Sequence, residues 1–273
     1  MKVLLCFDGS PAAAKAARFG MEITRGSNEP NELISVVEHQ RDADQLRASL
    51  EALGHEIETI GAQCDIKIRH GHAAEQILDE AAEWHADVIV LGRSGQRGLT
   101  RFMMGATAAR ILQYAACSVL LHKSDRSSLK KILACTAGGE PGLRNVAMAG
   151  RVAEHAQADV TVLHVMSQVA LSDKAYLPDL AAAADDLIAR ETREGKHFTE
   201  AVAALTDRSV RGIPKVRHGF VVDEVLAELH EGNYDLLVIG AHSAHGLTRW
   251  LLDDVTAHLI EEANLPVLVV RGE

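Results

Sequence analysis

The residues most suited to chemistry in this chain lie within 87–122. A short β-branched apolar run at 88–91 is followed by an Ala- and Leu-rich segment, and between them stand four glycines: Gly92, Gly95, Gly98 and Gly105. The run predicts a buried strand, residues 106–115 predict a helix, and a second apolar run at 118–121 predicts the next strand. Amides that glycine leaves accessible, together with the positive end of a helix dipole, bind phosphate. The stretch therefore predicts a βαβ unit with an anion-binding loop.

Glycines in such a loop are also typical of ordinary turns, so the loop alone does not establish a phosphate site. Three arginines flank it, Arg93, Arg97 and Arg101, and each is suited either to a phosphate contact or to solvent. The sequence contains no Walker lysine motif, no nucleophile elbow and no Ser-His-Asp order. These absences argue against an efficient phosphotransferase or a serine hydrolase.

Composition and charge exclude other classes of protein. The chain has 273 residues and a net charge of 28 − 38 = −10, whereas a nucleic-acid-binding surface needs clustered positive charge. No apolar segment reaches the length of a membrane span, and the run at 3–7 is too short for a signal peptide. We therefore expect a cytoplasmic protein that binds neither nucleic acid nor membrane.

The cysteines and histidines do not form a recognisable metal or redox site. The four cysteines, Cys6, Cys64, Cys117 and Cys135, are far apart and form no CxxC pair, which indicates reduced, structural thiols. Among fourteen histidines, the closely spaced pairs are His70 with His72 and His242 with His245. Neither pair has a cysteine or carboxylate at clear ligand spacing, so we expect no metal site.

Strands and helices alternate along the first half of the chain, in a predicted βαβαβαβαβ order. Before the loop, the predicted strands are 2–7, 33–37 and 65–69, and the predicted helices are 12–23, 42–53 and 73–84. Ser10 and Pro11 supply the N-cap and first position of the first helix, and Gly54 ends the second. Such alternation predicts a parallel sheet covered on both faces, with ligands at the carboxyl ends of the strands. Asp8 and Gly92 both follow strands, so we expect them in one crevice.

The pattern of the first half recurs in the second. Arg69-His70-Gly71 returns as Arg217-His218-Gly219, and Gly98-Leu99-Thr100-Arg101 returns as Gly246-Leu247-Thr248-Arg249, both at an offset of 217 − 69 = 246 − 98 = 148. The opening strand returns at a smaller offset, 135 − 6 = 129, so the second copy has about 148 − 129 = 19 additional residues. The repeat predicts two homologous domains, 1–124 and 129–273, joined by a short polar linker at 122–129.

The additional residues lie within 166–212, between the second and third strands of the second copy. Two sets of apolar residues each share a helical face there: Leu180, Ala184, Leu187 and Ile188, and then Phe198, Val202 and Leu205. Two interpretations fit this pattern. The segment is either a longer crossover helix that packs on its own sheet or a flap that reaches over the site of the other domain.

The spacing of the loop glycines, Gly92-x2-Gly95-x9-Gly105, resembles the nucleotide-binding signature of the universal stress protein family, in which the last glycine is followed by Ser or Thr. Here Ala106 follows and Thr107 stands one place later, so that hydroxyl is missing or displaced. The start at 3–10 (VLLCFDGS), the strand end at 35–37 and the strand at 117–121 are also similar to family elements. The resemblance covers nearly the whole chain. It implies an α/β fold of two tandem domains with doubly wound, Rossmann-like parallel sheets.

The resemblance further implies that the first domain binds an adenine nucleotide, ATP, ADP or AMP, with Mg²⁺ accompanying ATP. It assigns these residues to the site: Cys6, Phe7 and Asp8 beside the adenosine, Val37 in the base pocket, Leu91, Gly92 and Gly95 near the ribose and phosphates, and Gly105, Ala106 and Thr107 around the phosphate tail. A lost hydroxyl costs about 1 kcal/mol for a neutral hydrogen bond and up to about 3 kcal/mol for one to a charged group. We expect weaker binding, but not its loss, because the backbone amides remain.

The second copy changes the positions that would face a phosphate. Four replacements stand out: Asp8 by Ala137, Gly95 by Ser243, Gly105 by Asp253 and Ala106 by Asp254. A carboxylate about 4 Å from a phosphate costs about 4 kcal/mol at an intermediate effective dielectric. We therefore expect no nucleotide in this copy in the family manner. The two acids are suited either to a cation or to an exposed helix start.

Three functions fit the resemblance. The first is an adenine-nucleotide-binding stress-response protein that acts as a sensor or regulator. The second is a slow ATPase, in which Asp8 or a loop arginine acts on the phosphates. The third is a nucleotide-free, partner-binding stress protein, should the missing hydroxyl at Ala106 be decisive. Because efficient phosphoryl transfer usually needs a metal-holding residue and a lysine, binding is the favoured hypothesis.

The final strand of each copy, at 117–121 and 265–270, predicts how the two domains assemble. In the family, the last strand of one domain commonly pairs with that of a second. Both strands here are almost wholly apolar and carry few charges that would protect an exposed edge. We expect them to pair within the chain. Any homodimer would then use another surface, such as the extra segment at 180–205.

Overall fold

The computed structural model describes residues 1–27, 29–38, 43–59, 63–92, 104–166, 182–241 and 254–271. Some predicted features lie outside the described residues: Gly95, Gly98, the three loop arginines, Leu180, and the positions of His242, Ser243, His245 and Asp253.

The first half of the chain, residues 1–122, alternates strands and helices in the predicted order. Its elements are β1 (Val3–Cys6), α1 (Pro11–Glu22), β2 (Asn31–Val37), α2 (Ala43–Thr59), β3 (Cys64–His70), α3 (Ala73–Trp84), β4 (Val88–Gly92), α4 (Ala106–Tyr114) and β5 (Ser118–His122). Ser10 caps α1 by accepting a hydrogen bond from the Ala13 amide, and Pro11 is the first residue of the helix, as predicted.

The second half, residues 131–271, repeats this order with one helix more. Its elements are β6 (Lys131–Thr136), α5 (Gly139–Ala156), β7 (Asp159–Met166), α6 (Ala184–Ala189), α7 (Arg193–Thr206), β8 (Gly212–His218), α8 (Val221–Gly232), β9 (Leu236–Gly240), α9 (Asp254–Glu262) and β10 (Val267–Val270). Side-chain contacts repeat as well: Arg69 Nε donates to Glu80 and Arg217 Nε donates to Glu228, with 217 − 69 = 228 − 80 = 148. In the described ranges, no helix combines the length and apolar character needed to cross a membrane.

All ten strands belong to one sheet, in the order β3-β2-β1-β4-β5-β10-β9-β6-β7-β8. Strands within each half are parallel, and the halves meet where β5 and β10 pair antiparallel, with Leu121 opposite Val267 and Val119 opposite Val269. These four side chains are between 0% and 2% exposed. The predicted pairing of the final strands within the chain is therefore confirmed, and neither strand presents an open edge.

Two cations, the buried Arg271 and the half-buried Lys123, connect each half to the other beside this pairing. Lys123 Nζ donates to the carbonyl of Ile260 near the end of α9, and Arg271 Nη1 donates to the carbonyl of Ala115 at the end of α4. Their positions obey the repeat, since 271 − 123 = 148. Burial lowers the pKa of Lys123 to about 8 and that of Arg271 to about 10. A cation at a helix C-terminus is stabilised by the last carbonyls and the helix dipole.

Helix α2 is longer than predicted, because Gly54 does not end it. The helix continues to Thr59. A Cβ on Gly54 would lie 2.7 Å from Cδ1 of Ile66, so the glycine allows β3 to pack closely against α2. Its role is a close approach within the helix and not a C-cap.

The described part of the extra segment, residues 182–212, forms a crossover that packs on its own half. This agrees with the first of the two interpretations. Helix α7 packs against α5 and β8, and α6 packs against α7. Leu187, Phe198 and Leu205 are fully buried in this layer.

A chain cut at residue 125 tests the strand pairing. Without β10, the apolar β5 loses its neighbour, so we expect the fragment 1–125 to form a dimer in which two copies of β5 pair. Light scattering gives the mass of the purified fragment, with the full chain as the reference. A stable, soluble monomer of the fragment would contradict the importance of this pairing.

Candidate functional site

The first crevice lies between the carboxyl ends of β1 and β4. These two strands are neighbours in the sheet, yet the chain leaves β1 toward β2 and β3 on one side and leaves β4 toward β5 on the other. Such a change of direction separates the loops above a parallel sheet and opens a ligand crevice. Asp8 follows β1 and Gly92 ends β4, so the structure brings both to this edge as predicted.

The turn from β1 into α1 holds Asp8 at the mouth of the first crevice. Gly9 has a φ of 82°, a conformation that favours glycine, and the Ser10 amide donates to Oδ1 of Asp8 over 2.9 Å. The Asp8 side chain is exposed. Its second oxygen, Oδ2, can therefore accept a hydrogen bond from a ligand hydroxyl or amine.

Packing by itself requires a glycine at position 92. A Cβ at this position would lie 2.8 Å from the Ala13 amide nitrogen and 2.8 Å from the Ala12 carbonyl oxygen, both in the first turn of α1. The end of β4 therefore touches the backbone of α1, which only a glycine permits. The glycine expected beside the ribose has a sufficient structural explanation.

The N-terminus of α4 supplies backbone donors at the same edge of the sheet. Gly105 is its N-cap with φ −66° and ψ 157°, and the helix begins at Ala106. The first amides of any α-helix have no acceptor inside the helix, and the dipole makes that end positive. Ala106 is exposed and Thr107 is half-buried. Together these residues can bind an anionic group.

Four predicted site residues belong mainly to the core beneath the first crevice: Cys6, Phe7, Val37 and Leu91, which are 5% to 8% exposed. The Phe7 carbonyl accepts a hydrogen bond of 2.6 Å from the Ser35 hydroxyl. Burial raises the pKa of the Cys6 thiol, which disfavours a reactive thiolate. All four cysteines are free, as their spacing predicts.

Glu38 is a residue near the first crevice that the sequence did not reveal. It follows β2, and its Oε1 accepts a hydrogen bond of 3.1 Å from the Ala73 amide at the start of α3. His72, the N-cap of α3, makes no such side-chain bond. The available signal was an acid directly after a strand, but the helix that it caps begins 35 residues later, so the sequence does not connect the two.

The second crevice, at the equivalent place between β6 and β9, holds a cavity of about 650 Å³. Thr136 at the end of β6, His164 on β7 and His197 of α7 all line it. The sequence did not indicate this arrangement, because Thr136 and His197 are 61 positions apart and no local pattern connects them. The described residues contain no group of three or more His, Cys, Asp or Glu suited to a metal ion.

Comparison with known families gives one result for both halves. The model of the universal stress protein family matches residues 1–123 and again residues 128–271. A universal stress protein of Mycolicibacterium smegmatis is 26% identical over 221 residues, which cover 78% of this chain and 71% of that protein. Universal stress protein Sll1388 of Synechocystis is 29% identical over 87 residues, which cover 32% of this chain and 56% of that protein.

The fold is shared with a solved structure along its whole length. A universal stress protein of Archaeoglobus fulgidus matches with a TM-score of 0.70 and 15% identity, covering 99% of this chain and 98% of the other. At this identity the likeness concerns the fold alone.

Replacing Gly92 by Ala tests whether packing requires this glycine. The new methyl group would meet backbone atoms of α1, so we expect Gly92→Ala to lower the free energy of unfolding by about 1–3 kcal/mol, as overpacking does. Gly240→Ala is the matched control in the second half, where the Cβ would lie 2.9 Å from the side-chain nitrogen of Asn145 and would meet no backbone atom this closely. Urea unfolding followed by circular dichroism compares the two. A smaller loss in Gly92→Ala than in Gly240→Ala would contradict the packing explanation.

Proposed function

Since this chain belongs to the universal stress protein family, we propose that its first half binds an adenine nucleotide and that the protein acts as a nucleotide-responsive sensor or regulator. The observation that carries this proposal is the placement of the Asp8 carboxylate and the N-terminus of α4 around one crevice. A nucleotide has hydroxyl and amine groups at its adenosine end and negative charge at its phosphate end. The Asp8 carboxylate is suited to the adenosine end, and the N-terminus of α4 is suited to the phosphate end.

Charge fixes the orientation of the nucleotide. The exposed carboxylate of Asp8 accepts hydrogen bonds from ribose hydroxyls or a base amine and repels phosphate. The N-terminus of α4 attracts phosphate through its amides and its dipole. The adenosine would therefore lie toward β1, and the phosphates would lie toward Gly105 and Ala106. When ATP is the ligand, Mg²⁺ bound to its phosphates offsets part of their charge.

The second half lacks both features. Ala137 stands where the first half has Asp8, and α9 begins with Asp254, whose charge lies in the first turn of the helix. An acid there satisfies the helix dipole and repels phosphate. We propose that each chain binds one nucleotide.

Binding is favoured over hydrolysis by the residues available. Catalysis of phosphoryl transfer relies on metal-holding and positively charged side chains. In the described structure, the first crevice is bordered by Asp8, Gly92 and residues 105–107. These residues include one carboxylate and no cation. They can hold a nucleotide but offer little to stabilise charge that develops during transfer.

Gly105→Asp tests the phosphate end of the proposed site. The φ of −66° at Gly105 suits any residue, so the variant should fold, and a carboxylate at the helix start should abolish ATP binding. Ala106→Ser should act in the opposite direction and strengthen binding about 5- to 100-fold by restoring a hydroxyl donor. Equilibrium dialysis with labelled ATP gives the affinities, and mass spectrometry of the denatured wild-type protein identifies any co-purified nucleotide.

Ala116→Asp is the control, because it adds the same charge at an exposed position beyond the other end of α4. We expect its affinity for ATP to match that of the wild type. A folded Gly105→Asp variant that binds ATP with unchanged affinity would show that the phosphates do not lie at this helix terminus.

A further inference from the structure

The second crevice contains a partly open chamber, and several of its lining residues differ from their counterparts in the first half. Its volume of about 650 Å³ is within the range of small-molecule sites. Helix α7 forms one wall through Arg193, Glu194 and His197. The offset of 148 places these three residues at the positions of Gln45, Leu46 and Ser49 in α2. The chamber therefore occupies the crevice that the repeat provides, with different side chains on this wall.

A rigid polar floor lies at the end of β6. Thr136 Oγ1 is 2.6 Å from His197 Nε2 and accepts a hydrogen bond of 3.0 Å from the Gly138 amide. His164 Nδ1 donates to the Thr136 carbonyl over 2.9 Å, and since a carbonyl only accepts, this nitrogen carries the proton. Burial lowers the pKa of His197, which keeps its ring neutral. A Cβ on Gly142 would lie 2.0 Å from Thr136 Oγ1, so the glycine leaves room for this arrangement.

The charged side chains around the chamber are mainly positive. Arg144, Arg193 and Arg271 line it, and Glu194 is the acid among the described lining residues. Arg271 is only 7% exposed, so its charge acts in a poorly hydrated place. Ala137 removes the carboxylate that Asp8 provides in the first crevice. These residues favour an anionic group on the side of the arginines, away from Asp254 at the start of α9.

The remaining walls are apolar, and an exposed aromatic residue directly precedes one of their residues in the sequence. Leu163, Val225 and Ile239 are buried beside the chamber. Phe220 stands directly before Val221, another lining residue, and is 76% exposed. At the equivalent position of the first half, 220 − 148 = 72, the residue is His72. An exposed phenylalanine that adjoins a lining residue in the sequence is suited to contact a ligand ring.

We propose that the second crevice binds a small aromatic anion, a ring system that carries one carboxylate or a similar acidic group. The acidic group lies toward the arginines and the Thr136 floor, and the ring lies against the apolar walls and Phe220. A nucleotide does not fit this pattern, because the Asp8 equivalent is absent and α9 begins with Asp254. The site is separate from the proposed nucleotide site, and its occupancy does not depend on that proposal.

Two fluorescent probes that share one ring system test the proposal on the full chain. 1-Anilinonaphthalene-8-sulfonate is an aromatic anion, and N-phenyl-1-naphthylamine is the same ring system without the acidic group. We expect one site per chain and about tenfold tighter binding of the anion. The double variant Arg144→Gln with Arg193→Gln should remove this difference and leave the neutral probe unaffected. Equal affinities of the wild type for both probes would overturn the proposal.

Two blocking variants locate the site. Val165→Phe places a ring inside the chamber, and Ala137→Trp fills its mouth from an exposed position that the fold tolerates. Each should abolish binding of the anionic probe, whereas Val36→Phe, the matched change in the first half (165 − 129 = 36), should leave it unchanged. Circular dichroism verifies folding, and Ala137→Trp decides the test should Val165→Phe misfold. Retained binding in a folded blocking variant, or displacement of the probe by ATP, would overturn the proposal.

Discussion

The antiparallel pairing of β5 with β10 is the contact on which the rest of the molecule depends. It joins two five-stranded parallel sheets into one sheet of ten and covers two apolar edges that would otherwise seek partners. Lys123 and Arg271 then bind the last carbonyls of helices in the opposite half. Because these contacts obey the sequence repeat, the two halves are related as the subunits of a dimer would be. Each half thus has a permanent partner within the chain.

This duplication allows the two crevices to diverge while the sheet stays the same. The first crevice keeps an exposed carboxylate after β1 and a helix start at Gly105 without an acid. The second has Ala137 after β6 and an acid in the first turn of α9, and Arg193 and His197 of α7 line it. Electrostatics therefore separate two sites that the fold alone would make equivalent: one suits a nucleotide, and the other suits an anion with an apolar body.

Local signals in the sequence sufficed for much of the fold and for the edge at which the first crevice lies. The Ser10 cap, the bounds of α3 and the repeat offsets depend on neighbouring residues or on spacing, which the sequence displays. Features that depend on distant packing were misjudged or missed. Gly54 meets Ile66 of the next strand, Gly92 meets the backbone of α1, and Thr136 meets His197, which is 61 positions away. A glycine can be required for several reasons: a close approach of two elements, a turn or a ligand. Only the contacts in the structure show which of these reasons applies at a given position.

The central claim is that the duplicated fold retains one nucleotide site and not two. Titration calorimetry of the full chain with ATP, after removal of any co-purified nucleotide, measures the number of sites directly. The account predicts one site per chain, because the carboxylate after the first strand and the unblocked helix terminus occur together only in the first half. Two equivalent sites per chain, or no binding of ATP, would contradict it.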